Sequence, residues 1–228
     1  MSSETPQDTP DRRDQLKYYF DYTPLRRVLT PTLRLLFGLA ATMRVSGVEN
    51  LPVMGPVVLA ANHQTNFDVF PMQFALPRPI FFMAKAELHR NPLLDAALRQ
   101  LGAFPVERGA RDEWALRHAQ KVLEHAQVLG IFPEGTRSKG QGLRPAKTGA
   151  ARLAIAIGCP IVPMAIVGTQ HMFHGFPKRT PVEIALGEPI FPQHAETALA
   201  LTDRLMFTLA EMLPPDQRGV YAERPLGF

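Results

Sequence analysis

The stretch VVLAANHQTNFD, Val57 to Asp68, decides how the rest of the chain is read. Val57 to Ala61 is apolar at every position, the pattern of a short strand covered on both faces. The run stops at Asn62-His63, and Asp68 follows five residues after the histidine. Sheets of buried parallel strands collect chemistry in the loops that leave their strand ends. A base and a carboxylate are therefore expected together at a strand end, and the question is what they act on.

Outward from this stretch the chain alternates. Val69–Leu76 reads as a helix, Ile80–Met83 as a strand, Pro92–Leu101 as a helix and Phe104–Val106 as a short strand. A helix over Asp112–Gln127, with Leu116, Ala119, Val122 and Leu123 on one side, leads to a strand at Val128–Phe132. A helix over Lys147–Ile157 is closed by Gly158 and Pro160, and strands follow at Ile161–Val167 and Val182–Leu186. A last helix covers Ala198–Leu213. Apolar strands alternating with helices predict an α/β fold: a central, mostly parallel or mixed sheet flanked by helices. Three strand ends carry chemical residues: Asn62, His63 and Asp68 after the first, Glu107 and Arg108 after the third, and PEGTRS, Pro133 to Ser138, after the fourth. If these ends share one edge, a histidine, acidic groups and arginines converge there.

The 228 residues, 46% hydrophobic and 20% charged, suit one large domain with a core of its own. Residues 1–14 are polar and read as a disordered leader, 15–45 as an amphipathic helical segment, and 46–228 as the α/β domain. A net charge of +4 and a pI near 9.5 favour anionic partners. Nucleic acid is not the expected one, because basic and aromatic residues do not cluster on any single element. The single Cys159 forms no disulfide within the chain and indicates a reducing compartment. Leu153 to Pro177, free of acidic and basic side chains other than histidine, is interrupted by Gly158, Pro160 and Pro163, so it reads as buried helix, turn and strand.

Within 15–45, Tyr18, Tyr19, Phe20 and Tyr22 precede Leu25, Val28, Leu29, Leu36 and Leu39 at near-helical spacing, interspersed with Arg26, Arg27 and Arg34. Pro31 is expected to kink the segment or divide it into two helices. The composition fits a helix lying in a membrane surface, and equally an amphipathic helix packed on the domain.

The His63 neighbourhood has a simple expected geometry. Asn66 is the expected helix N-cap, with Asp68 in the first turn near the positive end of the helix dipole. A reversal at Gln64-Thr65 brings His63 over Asp68, whose carboxylate would fix the imidazole tautomer and leave the other nitrogen free as a base. A protein nucleophile is hard to find. The four serines are Ser2, Ser3, Ser46 and Ser138, there is no G-x-S-x-G elbow, and Cys159 belongs to the core. The simplest resolution is that the substrate brings its own hydroxyl.

Here the sequence resembles a known family. NHQTNFD is similar to the N-H-x-x-x-x-D motif of the glycerolipid acyltransferase superfamily, and IFPEGTRS, Ile131 to Ser138, to its third block. GAFPVERG, Gly102 to Gly109, and IVPMAIVGT, Ile161 to Thr169, resemble the second and fourth blocks, in the family's order. PAKTGAARLA, Pro145 to Ala154, resembles the segment between the third and fourth. The resemblance implies transfer of a fatty acyl group from acyl-carrier protein or acyl-coenzyme A to a lysophospholipid hydroxyl, most often that of 1-acylglycerol 3-phosphate. No further cofactor is implied. His63 would be the base and Asp68 its orienting partner. Arg108 and Arg137 would hold the acceptor phosphate, and Glu134, Gly135 and Thr136 would shape the acceptor loop. Lys85 would contact phosphate or the oxyanion. The resemblance also implies a peripheral or monotopic place on the cytoplasmic face of a membrane.

The remaining histidines suggest less. His171 and His174 have a spacing that could meet a metal, but two ligands fall short of the usual three or four, and no metal site is expected. His89, His118, His125 and His194 read as surface residues, and Lys147 as a solvated lysine. A thioesterase or esterase using the same base with water, and a lipid-binding module with no use for His63, are the rival functions.

Overall fold

A computed structural model of the chain describes residues 12–107 and 112–224. The leader up to residue 11, and Arg108, therefore lie outside the described residues. Arg12–Gln15, at the end of the segment read as leader, is a 3₁₀ turn. Asp14 accepts a hydrogen bond from Trp114 Nε1 at 2.7 Å, and Arg13 pairs with Asp112 at 2.8 Å.

The strands are β1 (Ala41–Ser46), β2 (Val57–Ala61), β3 (Ile80–Lys85), β4 (Ala103–Val106), β5 (Val128–Ile131), β6 (Ile161–Val167) and β7 (Thr180–Leu186). They form a seven-stranded sheet in the order β1-β7-β6-β2-β5-β3-β4. β2 runs parallel to β5 and β6, and β3 runs parallel to β5 and β4. Only β7 meets its neighbour β6 antiparallel, and β1 is parallel to β7. The C-terminal ends of β2, β3, β4, β5 and β6 thus share one edge. The starts of β1 and β7 lie at that same edge, with Ala41 opposite Thr180.

Each residue of β2 is buried, and alternate residues serve opposite faces. Val58 and Ala60 pack with α4 (Glu113–Glu124), α5 (Gly149–Ile157) and α6 (Ala198–Glu211). Val57, Leu59 and Ala61 pack on the other side with Phe37 of α1 (Pro24–Ala40) and with Met72 and Phe74 of α2 (Val69–Phe74). The remaining helix, α3 (Pro92–Gln100), covers Phe82, Ala84 and Ala103. Continuous apolar composition was therefore the correct sign of a strand enclosed between helical layers.

The N-terminal segment departs from its expected form. Pro31 does not divide the segment: it lies inside one continuous helix, α1, which ends at Ala40 rather than reaching Val45. Pro31 stands on the exposed side, where water can solvate the Arg27 carbonyl that loses its N–H partner. At Ala41 the chain turns extended and adds an edge strand to β7, because Thr42 to Ser46 find backbone partners there. Only Phe37 of α1 is buried, while Leu25, Val28, Leu35, Leu36 and Leu39 are exposed. No described helix is long and apolar enough to cross a membrane.

Candidate active site

His63 sits two residues past the end of β2 and is 8% exposed. Its Nδ1 lies 2.8 Å from Asp68 Oδ2. The carboxylate is fully buried and would be costly without partners. It has several: Oδ2 also accepts from the backbone N–H of Gln64 at 2.7 Å and of Thr65 at 2.8 Å, and Oδ1 accepts from Thr169 Oγ1 at 2.5 Å. The helix cap is Thr65, not Asn66. Thr65 Oγ1 accepts from Phe67 N, and Asp68 closes a reciprocal capping box. The turn that follows is a 3₁₀ turn of three residues, so discrete N–H groups, rather than a long helix dipole, compensate Asp68. A proton donated from Nδ1 to Asp68 leaves the Nε2 lone pair available. The imidazole stacks on Phe132, with centroids 4.0 Å apart and planes 16° from parallel, which fixes its plane.

The PEGTRS loop clamps this histidine from behind. Glu134 Oε1 accepts from the His63 backbone N–H at 2.8 Å, and the Ser138 N–H donates to the His63 carbonyl at 2.7 Å. Glu134 Oε2 accepts from Arg144 N at 3.0 Å. Both oxygens of this 4%-exposed carboxylate are thus engaged, and Glu134 shapes the loop rather than facing solvent. Burial pushes its carboxyl above the ordinary value, against the pull of the two N–H donors. Gly135 turns the loop at φ +65°, where a Cβ would stand 3.2 Å from Lys147 Cε. Thr136 is exposed beside it. Arg137 donates to Asn66 Oδ1 at 3.0 Å, which brings its guanidinium beside the loop that holds His63 and Asp68.

His63 opens on a cavity of about 340 Å³. Met83, Val106, Leu116, Ile131 and Leu153 give it apolar walls, while Glu107, Gly135 and Lys147 lie with His63 among its polar lining. Lys147 is therefore not a merely solvated lysine: its backbone N–H bonds the Pro133 carbonyl at 2.9 Å, which sets it against the PEGTRS loop. Lys85 is not part of this lining. It ends β3 on an exposed side and pairs with Glu87 at 2.8 Å. Two buried residues of the site carried no expected role. Asn62 accepts from Ile166 N at 2.7 Å and donates to Ile166 O at 2.8 Å, tying the end of β2 to β6. Thr169, 1% exposed, reaches Asp68 from the far end of β6. Its position closing IVPMAIVGT was visible in sequence, but only the β2–β6 pairing gives it a partner.

Neither side chain that could replace the missing nucleophile is suited to it. Cys159 is 1% exposed, and burial pushes its thiol up to about 11. Ser138 is 3% exposed and serves through its backbone. Two histidines read as surface residues are placed otherwise. His118 is buried among Phe104, Trp114 and Tyr18, because α4 turns that position onto the sheet, and His89 is half-buried and held by Asp95 at 2.6 Å.

Among the described residues, this sheet edge joins a His–Asp pair, a clamp loop and a largely apolar cavity with no serine or cysteine in its lining, the arrangement of a general base that faces a substrate. The acyltransferase family profile matches residues 42–167, and the chain belongs to that family. It is 32% identical over 159 residues to the 1-acyl-sn-glycerol-3-phosphate acyltransferase of Bacillus subtilis, a match covering 69% of this chain and 78% of that protein. The yeast enzyme of the same name is 30% identical over 195 residues, covering 79% of this chain and 63% of the relative. For the Escherichia coli enzyme of that name the figures are 32% over 140 residues, 60% and 56%. The crystal structure of the 1-acyl-sn-glycerophosphate acyltransferase PlsC from Thermotoga maritima superposes with a TM-score of 0.65 at 26% identity, over 82% of this chain and 79% of that one.

Proposed function

We propose that the protein acylates the free hydroxyl of 1-acylglycerol 3-phosphate, drawing the acyl group from a thioester of acyl-carrier protein or coenzyme A and giving phosphatidic acid. The observation that carries this reading is the Asp68–His63 pair facing an apolar cavity with no usable protein nucleophile beside it. His63 Nε2 takes the proton of the acceptor hydroxyl as its oxygen attacks the thioester carbonyl. The tetrahedral intermediate then expels the thiolate, which recovers that proton from the imidazolium, so the products are an ester and a free thiol. Asp68 holds the tautomer throughout and stabilises the imidazolium.

Lys147, which lines the cavity, and Arg137, which sits beside the His63 loop through Asn66, supply positive charge for the acceptor phosphate. The exposed apolar side of α1, together with Arg27 and Arg34, supports attachment to the surface of the membrane that holds the acceptor.

The test is purified protein with labelled acyl thioester and a panel of lysolipids, with products read by mass. Ester formation on 1-acylglycerol 3-phosphate is expected, and release of free fatty acid without ester would make the protein a thioesterase. Initial rates at several fixed acceptor concentrations should give intersecting lines; parallel lines and a thiol burst with donor alone would reveal an acyl-enzyme. Arg137→Ala should raise KM for the phosphorylated acceptor about tenfold, the worth of a charge-assisted contact, and Arg137→Lys should restore only part of it. An unchanged KM would remove Arg137 from the acceptor site.

A further inference from the structure

The loop between β6 and β7 is closed at both ends and open in the middle. Thr169 and Met172 are buried, and Thr180 is the first residue of β7. Between them Phe173 is 51% exposed and Phe176 is 73% exposed, next to the exposed cations Lys178 and Arg179. Phe173 is held at φ +68°, a left-handed conformation that is uncommon for a bulky residue. Phe176 and the outward half of Phe173 thus stand outside the core, on a loop anchored at both ends.

Their position relative to α1 gives them a context. Ala41, directly after α1, is registered opposite Thr180, directly after this loop, so the end of the helix and the end of the loop meet at one corner of the sheet. A chain of rings joins the two: Phe37 of α1 stacks on Phe70 at 5.4 Å, Phe70 contacts Phe67 at 6.4 Å, and Phe67 meets Phe173 edge-on at 5.5 Å. The exposed Leu35, Leu36 and Leu39 at the end of α1 lie at the same corner, on the edge where His63 opens.

We propose that the Gly168–Arg179 loop is a second membrane contact, with Phe173 and Phe176 entering the bilayer interface and Lys178 and Arg179 meeting anionic lipid headgroups. The proposal rests on the reading of the protein as an enzyme of bilayer lipids. Large apolar tips beside cations are the composition of an interfacial anchor, and anionic lipid complements the pair of positive charges. A loop contact at the corner of α1 gives the molecule two points of attachment. Two points fix the tilt of the His63 edge over the surface, which a single helix leaves free to roll. Thr169 belongs to the same loop and holds Asp68, so the anchor is continuous with the site.

The experiment uses the full chain with vesicles of phosphatidylcholine, alone or mixed with phosphatidylglycerol. Phe176→Trp places a reporter at the loop tip; the one native tryptophan, Trp114, is buried and serves as background. On vesicles brominated in the upper acyl chain, the added fluorescence should be quenched, and more fully when phosphatidylglycerol is present. The double variant Phe173→Asn, Phe176→Ser keeps a residue that tolerates positive φ and should lower vesicle partition at least about tenfold. Its transfer to a short-chain acceptor in monomeric solution should match the parent.

Unquenched fluorescence in protein that sediments with vesicles overturns the proposal, as does unchanged partition of the double variant. If partition is unchanged and KM for an acyl-carrier-protein donor rises, the loop docks a protein and the membrane assignment falls. An equal loss on the monomeric acceptor would place the loop in the site instead. Absence of acyl transfer by the parent in every assay would defeat the functional reading, while the quenching result would still decide the loop.

Discussion

Among the described residues are two histidine–aspartate pairs of nearly the same geometry. His63 Nδ1 lies 2.8 Å from Asp68, and His89 Nδ1 lies 2.6 Å from Asp95. What separates them is everything beyond the pair. Asp68 is fully buried and gathers backbone N–H groups and the Thr169 hydroxyl, whereas Asp95 is partly exposed and is shared with Arg99 at 2.8 Å on the same helix. Burial alone would raise the Asp95 carboxyl, but its hydrogen bonds from Arg99 and His89 hold it below the ordinary value. The outer nitrogens differ more. His63 borders the cavity, while His89 Nε2 is enclosed and has no hydrogen-bond partner among the described residues. A base needs a held tautomer and a free nitrogen that substrate can reach. The second pair has the first property only, and its place against the start of α3 makes it a staple between the 3₁₀ turn Ala86–Arg90 and that helix.

The largest expected difference comes from removing each imidazole. His63→Ala should cut turnover at least ~100-fold with the fold retained, while His89→Ala should leave kcat within about twofold and lower stability. Comparable losses of kcat in two folded variants would erase the distinction. Replacing the carboxylates sharpens it. Asp68→Asn should lose most of the activity by misorienting the ring, whereas Asp95→Asn should cost no more than about 1 kcal/mol in chemical denaturation and spare kcat.

A smaller effect is expected at the support that only the first pair possesses. Thr169→Val, which keeps shape and deletes the hydroxyl, should lower kcat about tenfold with little change in KM, the effect of losing one hydrogen bond to a charged group. Thr169→Ser should restore most of it, and the pH dependence of kcat should shift in the valine variant alone. A loss in KM without a change in kcat would mean that Thr169 shapes the site without orienting the pair.

The smallest effect concerns His118, a buried histidine with no acid partner among the described residues. Burial among aromatic rings drives His118 down to about 4 from its usual 6.5. The unfolded chain therefore takes up a proton in that interval before the folded chain does, and stability must fall as pH drops from 6.5 towards 4. His118→Phe should flatten the decline in Tm over that window without altering activity near neutrality. An identical slope in parent and variant would show that His118 titrates normally.

Much of the site could be read from residue order because its chemistry is local. His63, Asp68 and their turn lie within one loop, and the apolar run of β2 announced a strand enclosed on both faces. The same locality placed Arg137 and Glu134 on one loop after β5. It could not say that Glu134 spends both oxygens on backbone N–H groups of His63 and Arg144, since those bonds join positions far apart in sequence. Periodicity overstated the N-terminal helix: alternation of apolar and basic residues continues to Val45, but pairing with β7 claims the chain from Ala41. Pro31 does not divide the helix, because it stands on the exposed side, where the Arg27 carbonyl it displaces can turn to water.

By itself the sequence determined the fold class, the histidine with its aspartate, and the lack of a nucleophile, all properties of short segments or of composition. Tertiary structure decided which histidine borders the cavity and which is a staple, which lysine lines that cavity, and that Thr169 completes the carboxylate's support. Those outcomes depend on strand order. β2 lies between β5 and β6, so residues more than a hundred positions apart close around Asp68, and no local pattern encodes that adjacency.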